Sequence, residues 1–390
     1  MPWNPTEPYN DLPDLPPKAE VETKKILKRS IEAREALAAL DAAVQRLPNP
    51  DVLIAPITLQ EARDSSAIEN IVTTDDALFK QSELGGEPTE PSVKEALRYR
   101  AALYDAYNKL PVRPLGPNSA IDICQRLTGV AAGIRAVPGT TLRNNAGDVV
   151  YTPPNGKDLI LDKLSNWANF IQENKEIDAL VRIAIQHYQF EAIHPFPDGN
   201  GRTGRILNIL LLVEQKLLAF PILYLSREIL ASRDWYYKSL SAVTAQGSWE
   251  GWIEYFLMQL TRSAQKTAIK ALGIQFLLID TKSYIKSKAP KIYTHELIDF
   301  LFSRTYCRIE DMTSKGIAKR QTASSYLRNL ARLGVLQETK VGREKLFVHS
   351  KFLELLTTDG SKITKYKLGS AQPDELLLPF VLSPPTAQTF

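Results

Sequence analysis

Seven residues able to do chemistry fall within the twelve positions from His194 to Arg205, in the run HPFPDGNGRTGR: His194, Asp198, Gly199, Asn200, Gly201, Arg202 and Arg205. Pro195 pushes His194 out of helical geometry, so a helix should end there with the imidazole at its C-terminal mouth. A histidine so placed can accept a proton near neutral pH. Gly199 and Gly201 let the backbone turn tightly and bring its N–H groups against a ligand. The run then feeds a long apolar stretch, predicted to be a helix whose N-terminus presents unpaired N–H groups and a positive dipole end to an anion.

Arg202 and Arg205 are three apart and share one face of that helix's first turn. Within the run their carboxylate partner is Asp198 alone, so the spacing implies an external anion, and phosphate oxygens match the guanidinium fork. Asp198 is the hard-oxygen ligand of the run, suited to Mg²⁺ beside phosphates. A base, a metal ligand, a glycine cradle and two anion clamps together describe phosphoryl- or nucleotidyl-group transfer. The plain alternative is a turn with solvated arginines and a helix-end histidine; the density and order of special residues argue against it. No Lys-Ser/Thr follows the glycines and no HExxH occurs, so neither a Walker A loop nor a catalytic zinc is expected.

The elements that must hold this run are mainly helices. Residues 18–47 are rich in helix formers, and Ala33, Leu37, Leu40, Val44 and Leu47 share one face. Pro48 and Pro50 stop that helix. Thr58 and Glu61 have capping-box spacing, which predicts a second helix from about Leu59 through Asn70. Further helices are expected at about 91–109, 118–131, 157–173, 176–193 and from about 201. Residues 133–153 differ: Gly139, Asn144, Asn145, Gly147 and Asp148 are turn formers between β-prone runs, which reads as a hairpin.

With these features assembled, the run resembles the HxFx[DE]GNGRxxR signature of the Fic family without departure. LRNNAGDVVYTPP resembles that family's flap hairpin, HYQFEAIHPF its approach to the motif, and the likeness covers roughly 50–260. The resemblance implies a mostly helical fold and transfer of AMP from ATP to a Tyr, Ser or Thr hydroxyl of a target protein or of the chain itself. It implies that His194 deprotonates the hydroxyl and that Asp198 holds Mg²⁺. It further implies that Gly199, Asn200, Gly201, Arg202, Thr203, Gly204 and Arg205 bind the nucleotide. Arg143, Asn144, Val149 and Val150 would form a target-binding flap, because a hairpin edge can add an extended segment by strand pairing. Phe196 reads as a core anchor for the loop.

Ser65-Ser-Ala-Ile-Glu69-Asn70 fits the same family's inhibitory motif [ST]xxxE[GN], although Glu69 alone would be an ordinary helical carboxylate. The resemblance implies that Glu69 pairs with Arg205 and removes its clamp from the nucleotide, with Ser65 and Asn70 completing the motif. His187, near Glu191, is better read as a core histidine than as a metal ligand. Two other outcomes stay open: the same site could transfer another phosphate-containing group or remove AMP, or the chain could be a nucleotide-sensing transcriptional regulator.

Across all 390 residues, 48 basic side chains face 44 acidic ones, with 44% apolar and 24% charged residues, which describes a folded, water-compatible chain of two or three domains. The two cysteines, Cys124 and Cys307, form no CxxC pair, so a disulfide scaffold and a zinc ribbon are excluded. The first residues lack a basic start followed by an apolar stretch, and the most apolar run, Ile206 to Leu225, is interrupted by Asn208, Glu214, Gln215, Lys216 and Pro221. A cytoplasmic location without membrane contact is therefore expected. Six prolines in the first 17 residues predict an extended arm, docked through Trp3 and Tyr9 or mobile.

In the last third, the order helix–helix–helix–hairpin resembles a winged helix-turn-helix, with Arg320 to Leu333 as recognition helix and Val341-Gly342-Arg343 as wing tip. Residues 313–345 hold eight basic and two acidic side chains. That charge fits DNA contact, with Gln321, Thr322 and Ser324 at base edges; a protein-interaction or dimerisation module fits equally well. The expected fold is thus mostly α, a Fic-type helical core with a β-hairpin flap plus a winged helix. The expected division is 1–17 arm, 18–115 N-terminal helical region with the inhibitory helix, 116–262 catalytic core, 263–290 linker helix, 291–357 winged helix and 358–390 tail. The expected partners are ATP, a target protein, DNA and a second copy in a homodimer.

Overall fold

Helix-forming runs, cut by proline and glycine, dominate the chain. The computed structural model describes residues 3–358 apart from 89, 132, 145, 342 and 343, together with 362–366 and 375–377. In chain order the helices begin α1 (Lys24–Gln45), α2 (Asp51–Ile68), α3 (Asp75–Leu84), α4 (Pro91–Lys109), α5 (Pro117–Thr128), α6 (Lys157–Glu173), α7 (Ala179–Ile193) and α8 (Asn200–Glu214). They continue with α9 (Leu225–Ala231), α10 (Arg233–Gln246), α11 (Trp249–Lys288), α12 (His295–Ser303), α13 (Ile309–Ser314), α14 (Arg320–Arg332) and α15 (Ser350–Thr357). The strands are short: β1 (Leu142–Arg143), β2 (Val149–Tyr151), β3 (Tyr306–Cys307), β4 (Gln337–Val341), β5 (Glu344–Val348), β6 (Lys362–Thr364) and β7 (Glu375–Leu377). No helix among the described residues is long and apolar enough to cross a membrane.

The chain forms two compact units that do not follow sequence order. One comprises residues 1–38, 58–74 and 87–264; the other comprises 39–57, 75–86 and 265–390. The 40-residue α11 runs without a break through positions 262–263, so no loop separates core from linker there.

In the first unit α7 is buried along nearly its whole length, with Arg182, Gln186, His187 and Gln189 buried beside its apolar residues. Asp178 caps it, accepting from the Leu180 and Val181 amides at 2.9 and 3.4 Å. α7 packs against α6 and α8, and α8 against α4 and α5. Trp167, Phe190 and Phe196 are fully buried in this core, each contributing about 2–3 kcal/mol of burial. The proline-rich arm is docked on this unit. Leu12 and Leu15 are buried, Asn166 exchanges two hydrogen bonds with the Leu15 backbone, and Gln189 donates to the Pro13 carbonyl.

The second helix departs from expectation. α2 begins at Asp51, whose amide is capped by the Asn49 side chain at 3.0 Å, and Pro56 lies inside it. Thr58 and Glu61 are therefore mid-helix and buried, and form no capping box. The first helix starts at Lys24 rather than at 18. α3, which lacks a long apolar period, has no counterpart in the sequence reading; Leu78 and Phe79 bury its inner face.

In the second unit α12, α13 and α14 accompany a three-stranded antiparallel sheet of order β3-β5-β4. β4 and β5 pair from Gln337↔Val348 to Val341↔Glu344. Phe300, Phe302, Leu327, Leu330 and Phe347 fill the core. The expected wing-tip residues Gly342 and Arg343, and most of the tail, lie outside the described residues.

Candidate active site

α7 ends where Pro195 requires it to. His194 is its C-cap in the left-handed region, φ 49°, and its amide still donates to Phe190 O. Arg135 pins this end: its Nε donates to His194 O at 2.6 Å, and Nη2 donates to Ile193 O at 3.1 Å and to Pro154 O. A buried guanidinium on the last carbonyls of a helix stabilises its negative dipole end. Sequence reasoning missed Arg135 because no local pattern ties it to His194. The imidazole is half-buried and Nδ1 has no partner among the described residues. Burial and the Arg135 charge push the His194 pKa down to about 4, so the ring is a neutral proton acceptor at pH 7.

The loop from His194 to Asn200 is held from within. Phe196 is fully buried. Asn200 accepts from the Phe196 amide at 2.8 Å and donates to the Phe196 carbonyl at 2.7 Å. Its carboxamide thus braces the loop against the Phe196 backbone. Gly199 takes φ 83° at the N-cap of α8, a conformation side chains resist. Asp198 is exposed, and its Oδ1 accepts from the Gly199 amide at 2.6 Å and from Arg202 Nη2 at 2.9 Å.

Four of the expected anion-binding positions face differently from one another. Thr203 is wholly buried. A Cβ on Gly204 would lie 2.6 Å from Glu191 Oε1 and 3.3 Å from Phe190. Thr203 and the Cα of Gly204 thus lie on the packed side of α8, Gly204 against α7. Gly201 faces the site: a Cβ there would lie 2.5 Å from Glu69 Oε1 and 3.0 Å from Arg205 Nη1. Arg205 itself is 1% exposed, and among the described residues its side chain donates to Ser65 and Glu69.

Nε of Arg205 donates to Ser65 Oγ at 2.8 Å, and Nη2 donates to Ser65 O at 2.9 Å and Glu69 Oε1 at 2.8 Å. Burial alone would raise the Glu69 carboxyl, but the Arg205 charge overrides it and holds the group below its ordinary value. Arg202 is likewise paired, with Glu95 of α4 as well as Asp198. Neither guanidinium therefore lacks a carboxylate, contrary to the reading of the run in isolation; the partners come from helices distant in sequence.

Asn70, which ends the string Ser65–Asn70, takes a backbone conformation that suits Gly or Asn. Asn70 has φ 64°, its amide donates to Ala67 O, and the next amide, of Ile71, donates to Ser66 O. This left-handed helix stop places Glu69 on the last turn, facing Arg205. Asn70 Oδ1 also accepts from Arg233 at 2.8 Å. Upstream, Glu61 anchors the same helix, accepting from the Ser226 amide at 2.8 Å and from the Tyr99 hydroxyl at 3.2 Å. Burial pushes its carboxyl up to about 7.

β1 and β2 pair antiparallel with a bulge beside Arg143, giving the expected hairpin. Asn144 Oδ1 accepts from the Ala146 and Asp148 amides and shapes the turn, while Asn145 lies outside the described residues. Arg143 donates to Gly147 O, Val149 is half-buried and Val150 is exposed. The arm meets this hairpin: the Tyr9 amide donates to Thr152 O at 2.9 Å, and Trp3 and Tyr9 pack on Tyr151. The Tyr151 hydroxyl donates to Ala192 O at 2.8 Å, linking hairpin to the end of α7.

His187 is wholly buried, with Nε2 2.9 Å from the Tyr236 hydroxyl and its ring stacked on Trp252. No cluster of three His, Cys, Asp or Glu residues able to hold a metal occurs among the described residues. Asp198 still fits Mg²⁺, because that ion takes one or two carboxylates and completes its shell with phosphate and water. A cleft of about 380 Å³ between α4 and α5 is lined by Asp105, Lys109, Arg113, Asp122 and Arg126 and by no residue of the motif.

Residues 118–212 match the family model for the Fic/DOC family, and residues 27–108 match that for the Fic/DOC family N-terminal region. Residues 277–352 match the model for the C-terminal domain of SoFic-like protein adenylyltransferases. The chain is 30% identical to protein adenylyltransferase fic-1 of Caenorhabditis briggsae over 148 residues, which is 37% of this chain and 27% of that one. It spans about a fifth to a quarter of the length of the curated relatives it matches. Among solved structures, a Fic family protein from Desulfovibrio desulfuricans G20 superposes with TM-score 0.57 at 19% identity, covering 85% of this chain and 98% of that one. Fic-1 from C. elegans gives TM-score 0.50 at 20% identity over 63% and 73%. At these identities the structural likeness is one of fold.

Proposed function

The chain belongs to the Fic/DOC family, and on that premise we propose that it is a protein adenylyltransferase held shut by its own α2. The observation that carries the reading is the position of Arg205 one turn into α8, in the same site as His194 and saturated by Ser65 and Glu69. Neutral His194 would take the proton of a target Tyr, Ser or Thr hydroxyl as its oxygen attacks the α-phosphorus of ATP. The bond from that phosphorus to the β-bridging oxygen breaks, and pyrophosphate leaves. Arg202, Arg205 and the backbone N–H groups at Gly199 and Gly201 would neutralise the phosphate charge by position rather than by covalent chemistry. Asp198 would hold Mg²⁺, which neutralises phosphate charge when bound.

Glu69 keeps Arg205 from the nucleotide in this conformation. Incubation with Mg²⁺ and ATP followed by mass spectrometry of intact protein tests the reading. A gain of one AMP, larger for Glu69→Gly than for wild type and absent for His194→Ala, is expected. No gain in any variant, with or without a panel of protein acceptors, would overturn it.

The second unit supports the winged-helix reading through its element order. Gln321, Ser325, Arg328 and Arg332 form the exposed stripe of α14, beside exposed Lys319 and Arg320. Ser324 is only half-exposed. This charge favours a nucleic-acid partner, and a gel shift that weakens steeply with salt is the corresponding test.

A further inference from the structure

We propose that Glu95 is the positioning residue for Arg202: it holds the guanidinium in the anion site, while Asp198 is the partner that Arg202 gives up when a nucleotide and its cation bind. The proposal deepens the adenylyltransferase reading and rests on it for the identity of the anion.

Three carboxylates form ion pairs with the two arginines of α8 among the described residues, and their attachments differ. Glu69 sits at the end of α2, where the helix stops at Asn70 and residues 71–74 are non-helical. Asp198 lies in the loop before α8; its side chain is 75% exposed, and its contacts to Arg202 and the Gly199 amide both fall on Oδ1. Glu95 lies within the first two turns of α4, between Val93 and Ala96, with Tyr99 one turn on; these three are 3%, 0% and 0% exposed. α4 packs against α8, the helix that carries Arg202. Glu69 and Asp198 can therefore turn away by local movement, whereas moving Glu95 requires moving a core helix.

Arg202 has little freedom to find its own place. Its side chain is 6% exposed; Nη1 pairs with Glu95 and Nη2 with Asp198 at 2.9 Å, while Nε is buried without a partner among the described residues. If Asp198 turned to a cation, Nη2 would be released toward the phosphates and Glu95 would still fix Nη1. A planar guanidinium held on one nitrogen keeps its fork aimed, which a lone arginine does not. Without the Glu95 charge, Arg202 keeps one carboxylate, Asp198, and competes for it with the cation.

The test uses the full chain carrying Glu69→Gly, alone and with Glu95→Gln, which preserves side-chain shape and removes the charge. A fluorescent ATP analogue is titrated in EDTA and again across a Mg²⁺ series. Glu95→Gln should weaken binding in EDTA about tenfold. It should also raise the Mg²⁺ concentration giving half-maximal nucleotide binding by several-fold, and Glu95→Asp should restore part of both. Unchanged affinity and Mg²⁺ dependence would overturn the proposal, as would tighter binding, which would make Glu95 a second inhibitory carboxylate. Tripolyphosphate is titrated in parallel as an anion without a nucleoside. If it binds with the expected Glu95 dependence and ATP does not bind at all, the adenylyltransferase reading fails and the role of Glu95 stands. Melting temperatures of the variants identify any loss that comes from unfolding.

Discussion

Asn200 closes two hydrogen bonds on one residue, accepting from the Phe196 amide at 2.8 Å and donating to the Phe196 carbonyl at 2.7 Å. The clamp spans the turn that sets His194 against the start of α8, and both partners are buried. Removing it strands a buried amide and a buried carbonyl. Asn200→Ala should cost about 1–3 kcal/mol in urea denaturation. Asn200→Asp, which keeps the acceptor and loses the donor, should not restore the full stability. A variant as stable as wild type would mean the loop has another support.

Arg205 receives its contacts in unequal shares. Glu69 supplies the charge, and Ser65 supplies one hydroxyl and one carbonyl. Glu69→Gly should therefore raise labelling from radiolabelled ATP about tenfold or more, the scale of one charge-assisted bond. Ser65→Ala removes only the hydroxyl and should raise it by a smaller factor. Equal labelling of wild type and Glu69→Gly over a range of Mg²⁺ would exclude the brake.

The His194 ring loses its proton near pH 4 rather than near 6.5. A base must be unprotonated to act, so its activity is available above that pKa and lost below it. In the Glu69→Gly background, nucleotide-saturated transfer should stay level from pH 8 to about 5 and fall toward 4. A midpoint at 6–7 would mean that the ring is solvated in the working enzyme. His194→Ala should abolish transfer while leaving nucleotide affinity intact.

What could be read from sequence was what is local in sequence. The run from His194 to Arg205 is contiguous, so its turn, its histidine at a helix end and its paired arginines follow from Pro195, Gly199 and helical spacing. α4 was placed correctly because Pro91 opens it. By contrast, Thr58 and Glu61 have the spacing of a cap, yet Asn49 had already capped α2 and the helix continues through Pro56. Glu61 instead serves as a buried acceptor for Ser226 and Tyr99, a role that needs the tertiary fold. Glu95 and Arg135 were invisible for the same reason: their partners in the site lie in other parts of the chain. Asn200 carries a role that its place in the string does not reveal, since its side chain also braces its own loop against Phe196.

His349 gives the second unit an acid-sensitive point. It is 1% exposed, and its Nδ1 accepts from the Phe352 amide at 3.3 Å as the N-cap of α15. Burial pushes its pKa down to about 3, below the ordinary 6.5 of an unfolded chain. Between those values the unfolded state binds the proton and the folded state does not. Stability from this group is complete above pH 6.5 and falls as the pH drops toward 3, by up to about 1.4 kcal/mol per unit. Amide exchange of Phe352 to Leu356 should accelerate in that window beyond the intrinsic rate. His349→Asn, which keeps a cap, should flatten the dependence; an unchanged slope would place the proton elsewhere.

The docked arm makes the hairpin's position depend on residues far from it in sequence. Trp3 stacks on Tyr151 at 6.4 Å and Tyr9 meets it edge-on at 6.3 Å, while Tyr151 reaches Ala192 next to the end of α7. Each aromatic pair is worth about 0.5–1.5 kcal/mol beyond burial. Trp3→Ala with Tyr9→Ala should loosen the hairpin without touching Arg202 or Arg205. In the Glu69→Gly background, the KM for a protein acceptor should rise several-fold while ATP affinity stays within twofold or so of its starting value. Limited proteolysis should cut near Gly147 faster than in the parent. If ATP affinity falls in step with acceptor binding, the arm supports the whole core rather than the hairpin.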